Sequence, residues 1–176
     1  LPLGNVRSAE TAGVAVIHQE SVAFPHLNAV ENLFIGRELR RYGGWLDWQR
    51  MSVQTQTILD QLGEKLDLEC PLENVPLAQR QMVSVARALL QKCRLLIMDE
   101  PTASLSERET RLLFARIRKL RADGVSVLYV SHRLHEVFES ADRVTVFRDG
   151  QWIATSECAA ISEGILIEQM VGRSVE

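Results

Sequence analysis

The stretch Leu95-Leu96-Ile97-Met98-Asp99-Glu100-Pro101-Thr102 decides how this chain is read. Four apolar residues run directly into two carboxylates. A short, continuous apolar run suits a strand buried on both faces, as in a parallel sheet. Chemistry in such sheets gathers at the carboxyl ends of the strands. Asp99 and Glu100 are therefore expected at the rim of a site. Adjacent acids there can divide the work: one holds a hard cation such as Mg²⁺ through oxygen, and the other orients and deprotonates a water. The same eight residues also fit a strand followed by a solvated acidic turn.

Working outward, the chain alternates strand and helix signals. Residues 1–12 are polar and read as an edge or linker. Val14-Ala15-Val16-Ile17 is a short β-branched strand candidate that delivers His18, Gln19 and Glu20 to a loop. Asn28 to Gly36 reads as a short helix. Asp47 can cap a helix from Trp48 to Leu62, whose apolar residues recur at helical spacing and which Gly63 stops. A further helix is expected from about Gln79 to Gln91, with Pro76 just ahead of its start. Ser106 and Glu109 have the form of a capping box opening the next helix. Val125 to Val130 reads as another buried strand, ending in Ser131 and His132. Leu134 to Ala141 reads as a short helix. Asp149-Gly150 closes a hairpin through a type I′ turn, and a final helix runs from about Ser162 to Val171. The expected fold class is α/β with a parallel core sheet. Its divisions are the start of the core (1–27), an inserted helical lobe (28–91), and the rest of the core with its terminal hairpin and helix (92–176).

Composition narrows the function. The chain has 176 residues and a formal net charge of -3, with both signs well mixed. No basic field argues for nucleic acid. Cys70, Cys93 and Cys158 lie far apart with no metal-binding spacing, and read as reduced thiols. No apolar run approaches the roughly 20 residues of a membrane span, and the start does not resemble a signal peptide. A membrane role would then come through a partner.

Three predicted strands end in polar residues: Gln19, Asp99-Glu100 and His132. A carboxamide, two carboxylates and an imidazole on one sheet edge suit metal-assisted phosphoryl transfer. In the same order along the chain, the motifs resemble the nucleotide-binding subunit of ATP-binding-cassette (ABC) transporters. LLIMDEPT (95–102) is similar to the Walker B strand, IHQE (17–20) to the Q-loop, and the stretch from Val130 to Gly150 to the switch-histidine region. QRQMVSVARALL (79–90) is similar to the helix behind the ABC signature. QRQMV, PTASLSERE, SHRLHEVFE and EQMVGR most resemble the first cassette of monosaccharide importers.

The resemblance implies a partial P-loop NTPase fold with ATP and Mg²⁺ as cofactors. It implies Glu100 as general base, Asp99 and Gln19 on Mg²⁺, and His132 on the γ-phosphate. It places Ala78 and Gln79 in the signature that reaches a nucleotide across a dimer. The implied partners are transmembrane permease subunits, docked near residues 24–40, a second cassette, and indirectly a periplasmic sugar-binding protein. The implied location is the cytoplasmic face of the inner membrane.

Departures accompany the likeness. No G-x-x-x-x-G-K-[ST] loop occurs, and no Lys follows a Gly. The chain is expected to begin downstream of that phosphate-binding loop, which leaves apolar faces of VAVI and LLIM uncovered. Pro76 stands where the signature has Ser, Ala78 replaces a glycine, and Ser106 stands where Asp is frequent. These departures suit an alternative, a catalytically silent cassette that only binds partners. A non-transport ABC ATPase is a third class, but the acidic residue or large insertions it tends to carry are not present.

Overall fold

The computed structural model describes residues 5–18 and 23–172. Its elements run α1 (Val6–Thr11), β1 (Val14–Ile17), α2 (Ala29–Phe34), α3 (Trp48–Leu62), α4 (Leu77–Leu90), β2 (Leu95–Asp99), α5 (Glu107–Ala122), β3 (Ser126–Val130), α6 (Leu134–Ser140), β4 (Arg143–Arg148), β5 (Gln151–Glu157) and α7 (Glu163–Val171). Contacts divide the chain into a larger unit ending at Val130 and a smaller one beginning at Ser131.

In the larger unit, β1, β2 and β3 form a parallel sheet in that order. Gly13 sets its entry. Its carbonyl accepts from Arg94 N at 2.7 Å and Leu95 N at 3.0 Å. With φ +85° and Arg94 N 3.2 Å from where a Cβ would sit, the position suits glycine alone. The register aligns Ala15 with Leu96 and Val127, and Ile17 with Met98 and Tyr129. This face is buried: Leu96 and Met98 belong to the main core with residues of α2 to α5. Phe114 of α5 meets Tyr129 edge-on at 5.8 Å, a favoured aromatic geometry.

The opposite face is not covered. Val16, Leu128 and Val130 are exposed, and Leu95 and Ile97 are only partly buried. Among the described residues the sheet carries a helical layer on one face only, which departs from burial on both sides and agrees with the expectation that apolar faces of VAVI and LLIM stand uncovered. The expected linker at residues 1–12 is corrected. It holds the helix α1, which Asn5 caps by accepting from Ser8 N. That helix buries no residue of its own, so it leaves no apolar stripe to read.

Between Ala29 and Leu90 the regular elements are the helices α2, α3 and α4, joined by loops, with one bridge between Arg40 and Leu46. Asn28 and Glu31 form a capping box at α2. Asp47 caps α3, and Gly63 ends it at φ 70°. The smaller unit pairs β4 and β5 around Asp149 and Gly150, whose φ values of 53° and 75° fit the expected turn. Val146, Ile161 and Leu166 form its core. Gly172 closes α7 in the left-handed region.

The two faces of the sheet should respond differently to truncation. Leu96→Ala is expected to cost about 2–5 kcal/mol of unfolding free energy, and Leu128→Ala less than about 1 kcal/mol. Urea unfolding followed by circular dichroism measures both; equal losses would contradict the one-sided burial.

Candidate functional site

The ladder fixes the acidic turn. Asp99 pairs with Val130 at the end of β2, and Glu100 N continues the bonding to Val130 O at 2.9 Å. Glu100 then turns into the left-handed region, φ 44°. A non-glycine residue there carries about 1–3 kcal/mol of strain that its surroundings must offset, and such residues cluster at functional sites. Several hydrogen bonds tie down the turn. Gln81 Nε2 of α4 donates to Pro101 O at 2.6 Å. Thr102, buried, shares a hydrogen bond with Tyr129 Oη at 3.3 Å, and Ala103 N donates to Glu100 O at 3.2 Å. Asp99 and Glu100 are each half-buried. Gln81 and Thr102 were not among the sequence-derived site residues. Their partners lie 20 and 27 positions away, where no local pattern points to them.

His132 belongs to the smaller unit, in the loop between the end of β3 and α6, and its side chain is exposed. The loop is held by a buried carboxylate. Glu136 is fully buried. It accepts from Ser131 Oγ at 2.8 Å and from Arg133 Nη1 at 3.4 Å, while Ser131 Oγ accepts from Arg133 N at 3.0 Å. The residues on either side of His132 are thus anchored to one acid. Ser131 and Glu136 lie five positions apart, a spacing that no capping pattern covers, so sequence reading missed this anchor. Gln19 lies outside the described residues, just past β1.

Ala78 and Gln79 occupy the first turn of α4, at the wall of a cavity of about 440 Å³ that also touches Pro76, Ser106, Glu64 and Arg116. Pro76 is the N-cap residue and supplies no side-chain bond, so anion attraction here rests on the backbone of the helix start. Gln79 Nε2 donates to Lys65 O at 3.2 Å, which fixes its carboxamide. Ser106 keeps its capping role: Glu109 accepts from Ser106 N at 2.8 Å and from Ser106 Oγ at 2.6 Å. Those bonds hold the Glu109 carboxyl below its usual range. Glu64 behaves oppositely. Burial pushes its pKa up, and Arg116 at 3.6 Å only partly counters it.

The ABC transporter family model matches residues 4–103. The chain belongs to the ABC transporter family. It is 45% identical over 168 residues to a ribose import ATP-binding protein, RbsA 2, of Burkholderia cenocepacia, covering 96% of this chain and 33% of that protein. It is 42% identical over 172 residues to the ribose import ATP-binding protein RbsA of Caldanaerobacter subterraneus, covering 98% and 35%. The chain therefore spans about a third of the length of these relatives. Among solved structures, an ATP-binding cassette of an ABC transporter in its ADP conformation matches with a TM-score of 0.73 at 22% identity, over 94% of this chain and 71% of that one. The fold is that of an ABC cassette, mixed α/β with a parallel sheet and P-loop NTPase-like.

An ABC cassette implies Mg²⁺. No group of three or more His, Cys, Asp or Glu side chains gathers among the described residues, so they form no all-protein cage. A half-buried carboxylate, Asp99, at a strand end does suit this cation, which is held by one or two carboxylates together with substrate phosphates.

The raised pKa of Glu64 has a sign that can be measured. Its proton is held more tightly in the folded chain than in the unfolded one, where a glutamate titrates near 4.3. Its contribution to stability is full below that value and is lost as pH rises through the higher folded pKa. Glu64→Gln is expected to flatten the fall in stability above about pH 4.3. Urea midpoints taken across that range check it, and an unchanged pH slope would contradict it.

Proposed function

We propose that this chain is part of the ATP-hydrolysing subunit of a monosaccharide importer, coupling hydrolysis of MgATP to transport. The observation that carries the reading is the acid pair at the end of β2, with Glu100 held in a strained backbone conformation by bonds to β3. The names of the relatives, ribose import ATP-binding proteins, support the substrate class.

In this reading Asp99 holds the cation with Gln19, and Glu100 orients the attacking water and takes its proton. A Mg²⁺ ion held there would supply positive charge beside the phosphate oxygens. His132 meets the γ-phosphate. Glu136 acts as a positioning residue for its loop. Ala78 and Gln79 present the start of α4 to a nucleotide held by a second cassette. The helical lobe at 28–91 docks on transmembrane permease subunits near residues 24–40. The subunit works at the cytoplasmic face of the inner membrane, and a periplasmic sugar-binding protein takes part indirectly. No helix among the described residues is long and apolar enough to cross a membrane.

A second reading, a silent cassette, is favoured by Pro76. It brings neither a hydroxyl nor an N–H to the helix start where the family motif has Ser. The test separates the two. In a chain joined to an upstream Walker A segment, Glu100→Gln is expected to lower ATP turnover by about 10²–10⁴-fold with ATP binding retained. Turnover that survives the substitution removes Glu100 from the mechanism. Binding without turnover while Glu100 is present supports the silent cassette.

A further inference from the structure

The segment from Leu39 to Asp47 forms a tight hairpin ahead of α3. Asp47 N donates to Leu39 O at 2.8 Å, Arg41 N to Trp45 O at 2.8 Å, and Gly44 N to Arg41 O at 3.0 Å. Gly43 and Gly44, at φ 90° and 85°, turn the tip. Leu39 and Leu46 pack at the base against the main core, and the Arg41–Asp47 ion pair at 2.9 Å braces one side. The backbone is thus well fixed, yet the tip displays large aromatic side chains to solvent. Tyr42 is 106% and Trp45 78% exposed, with Trp48 beside them at 45%. No aromatic ring stacks on Tyr42 or Trp45 among the described residues.

Charge adds a second, independent feature. Residues 37–50 hold Arg37, Arg40, Arg41 and Arg50 against Glu38 and Asp47; Arg37 pairs with Glu10 and Arg41 with Asp47, each at 2.9 Å, so the excess of cations rests on Arg40 and Arg50. Trp and Tyr have an apolar body and a polar tip, the combination that settles in the headgroup layer of a bilayer. Arginines beside them are drawn to anionic lipid. A protein hot spot instead sits inside a ring of packed neighbours that excludes water. Here the neighbours are arginine, glycine and glutamine on a protruding turn.

We propose that the Leu39–Asp47 hairpin is a peripheral membrane anchor, with Tyr42 and Trp45 entering the headgroup region of an anionic lipid surface and Arg40 and Arg50 drawn to its phosphates. This goes beyond the ATPase reading and does not rest on it, because it needs neither nucleotide nor a second cassette.

The test is co-sedimentation of the 176-residue chain with vesicles of phosphatidylcholine, alone or with roughly one-third phosphatidylglycerol. Binding to the anionic vesicles is expected, with a blue shift of tryptophan emission. Salt near 0.5 M, where the Debye length is only a few ångströms, should release the chain. The double substitution Tyr42→Ser, Trp45→Ser should weaken binding at least about tenfold with an unchanged circular dichroism spectrum, since both positions are solvent-exposed. Trp45→Phe should retain most of it. Equal binding by parent and double variant would overturn the proposal and point to the uncovered sheet face around Val16 and Leu128. No binding of the parent to anionic vesicles would also overturn it, leaving the hairpin as a surface for a protein partner.

Discussion

The ladder through β2 is the constraint on which the larger unit depends. Both of its edges are taken, by β1 and β3, so its register cannot slip without breaking two sets of parallel bonds. Leu96 and Met98 then point into the helical layer. A shift of one residue would exchange them for Leu95 and Ile97 and turn the buried face outward. The same ladder carries on to Glu100 N, whose bond to Val130 O holds the residue at a positive φ. Core packing and the position of the acid pair are consequences of one register.

Elements whose signals are local were legible in the sequence. The helix Trp48–Leu62 is marked by Asp47, by apolar residues at helical spacing and by Gly63, and all three act as read. The Ser106 capping box and the Asp149-Gly150 turn belong to the same class. What stayed hidden depends on distant partners or on no side-chain pattern at all. Whether a strand such as Ser126–Val130 is covered on both faces depends on what packs over it, and an apolar run reads the same either way. The left-handed Glu100 has no glycine to announce it. Within the candidate site, Asp99, Glu100, Ala78 and Gln79 could be named from motif likeness. The groups that fix them, Gln81, Thr102 and Lys65 O, come from other elements.

Pro76 shows how fold and chemistry can be separated at one residue. A serine at this place could cap the helix through its hydroxyl. Proline cannot, yet α4 begins directly after it, with Arg80 N donating to Pro76 O at 3.0 Å. Its own φ of -52° lies within the range its ring imposes. The helix start is therefore kept while the polar side chain at its mouth is lost. The exchange removes a possible hydroxyl cap, worth about 0.5–2 kcal/mol, and leaves the backbone start of the helix in place.

Two of the apolar exposures on the larger unit call for different arguments. Val16, Leu128 and Val130 are aliphatic residues on a parallel sheet, and such sheets are normally covered on both faces. Their exposure runs against that rule for the sheet as a whole and says nothing specific about a partner. Tyr42 and Trp45 sit on a turn whose base is already packed and whose backbone is already bonded. A second layer on the sheet is not required for that turn to form, and polar residues could close it equally well. Large aromatic rings at its tip are therefore unexplained by folding, which is the physical ground for assigning them to an encounter outside the chain.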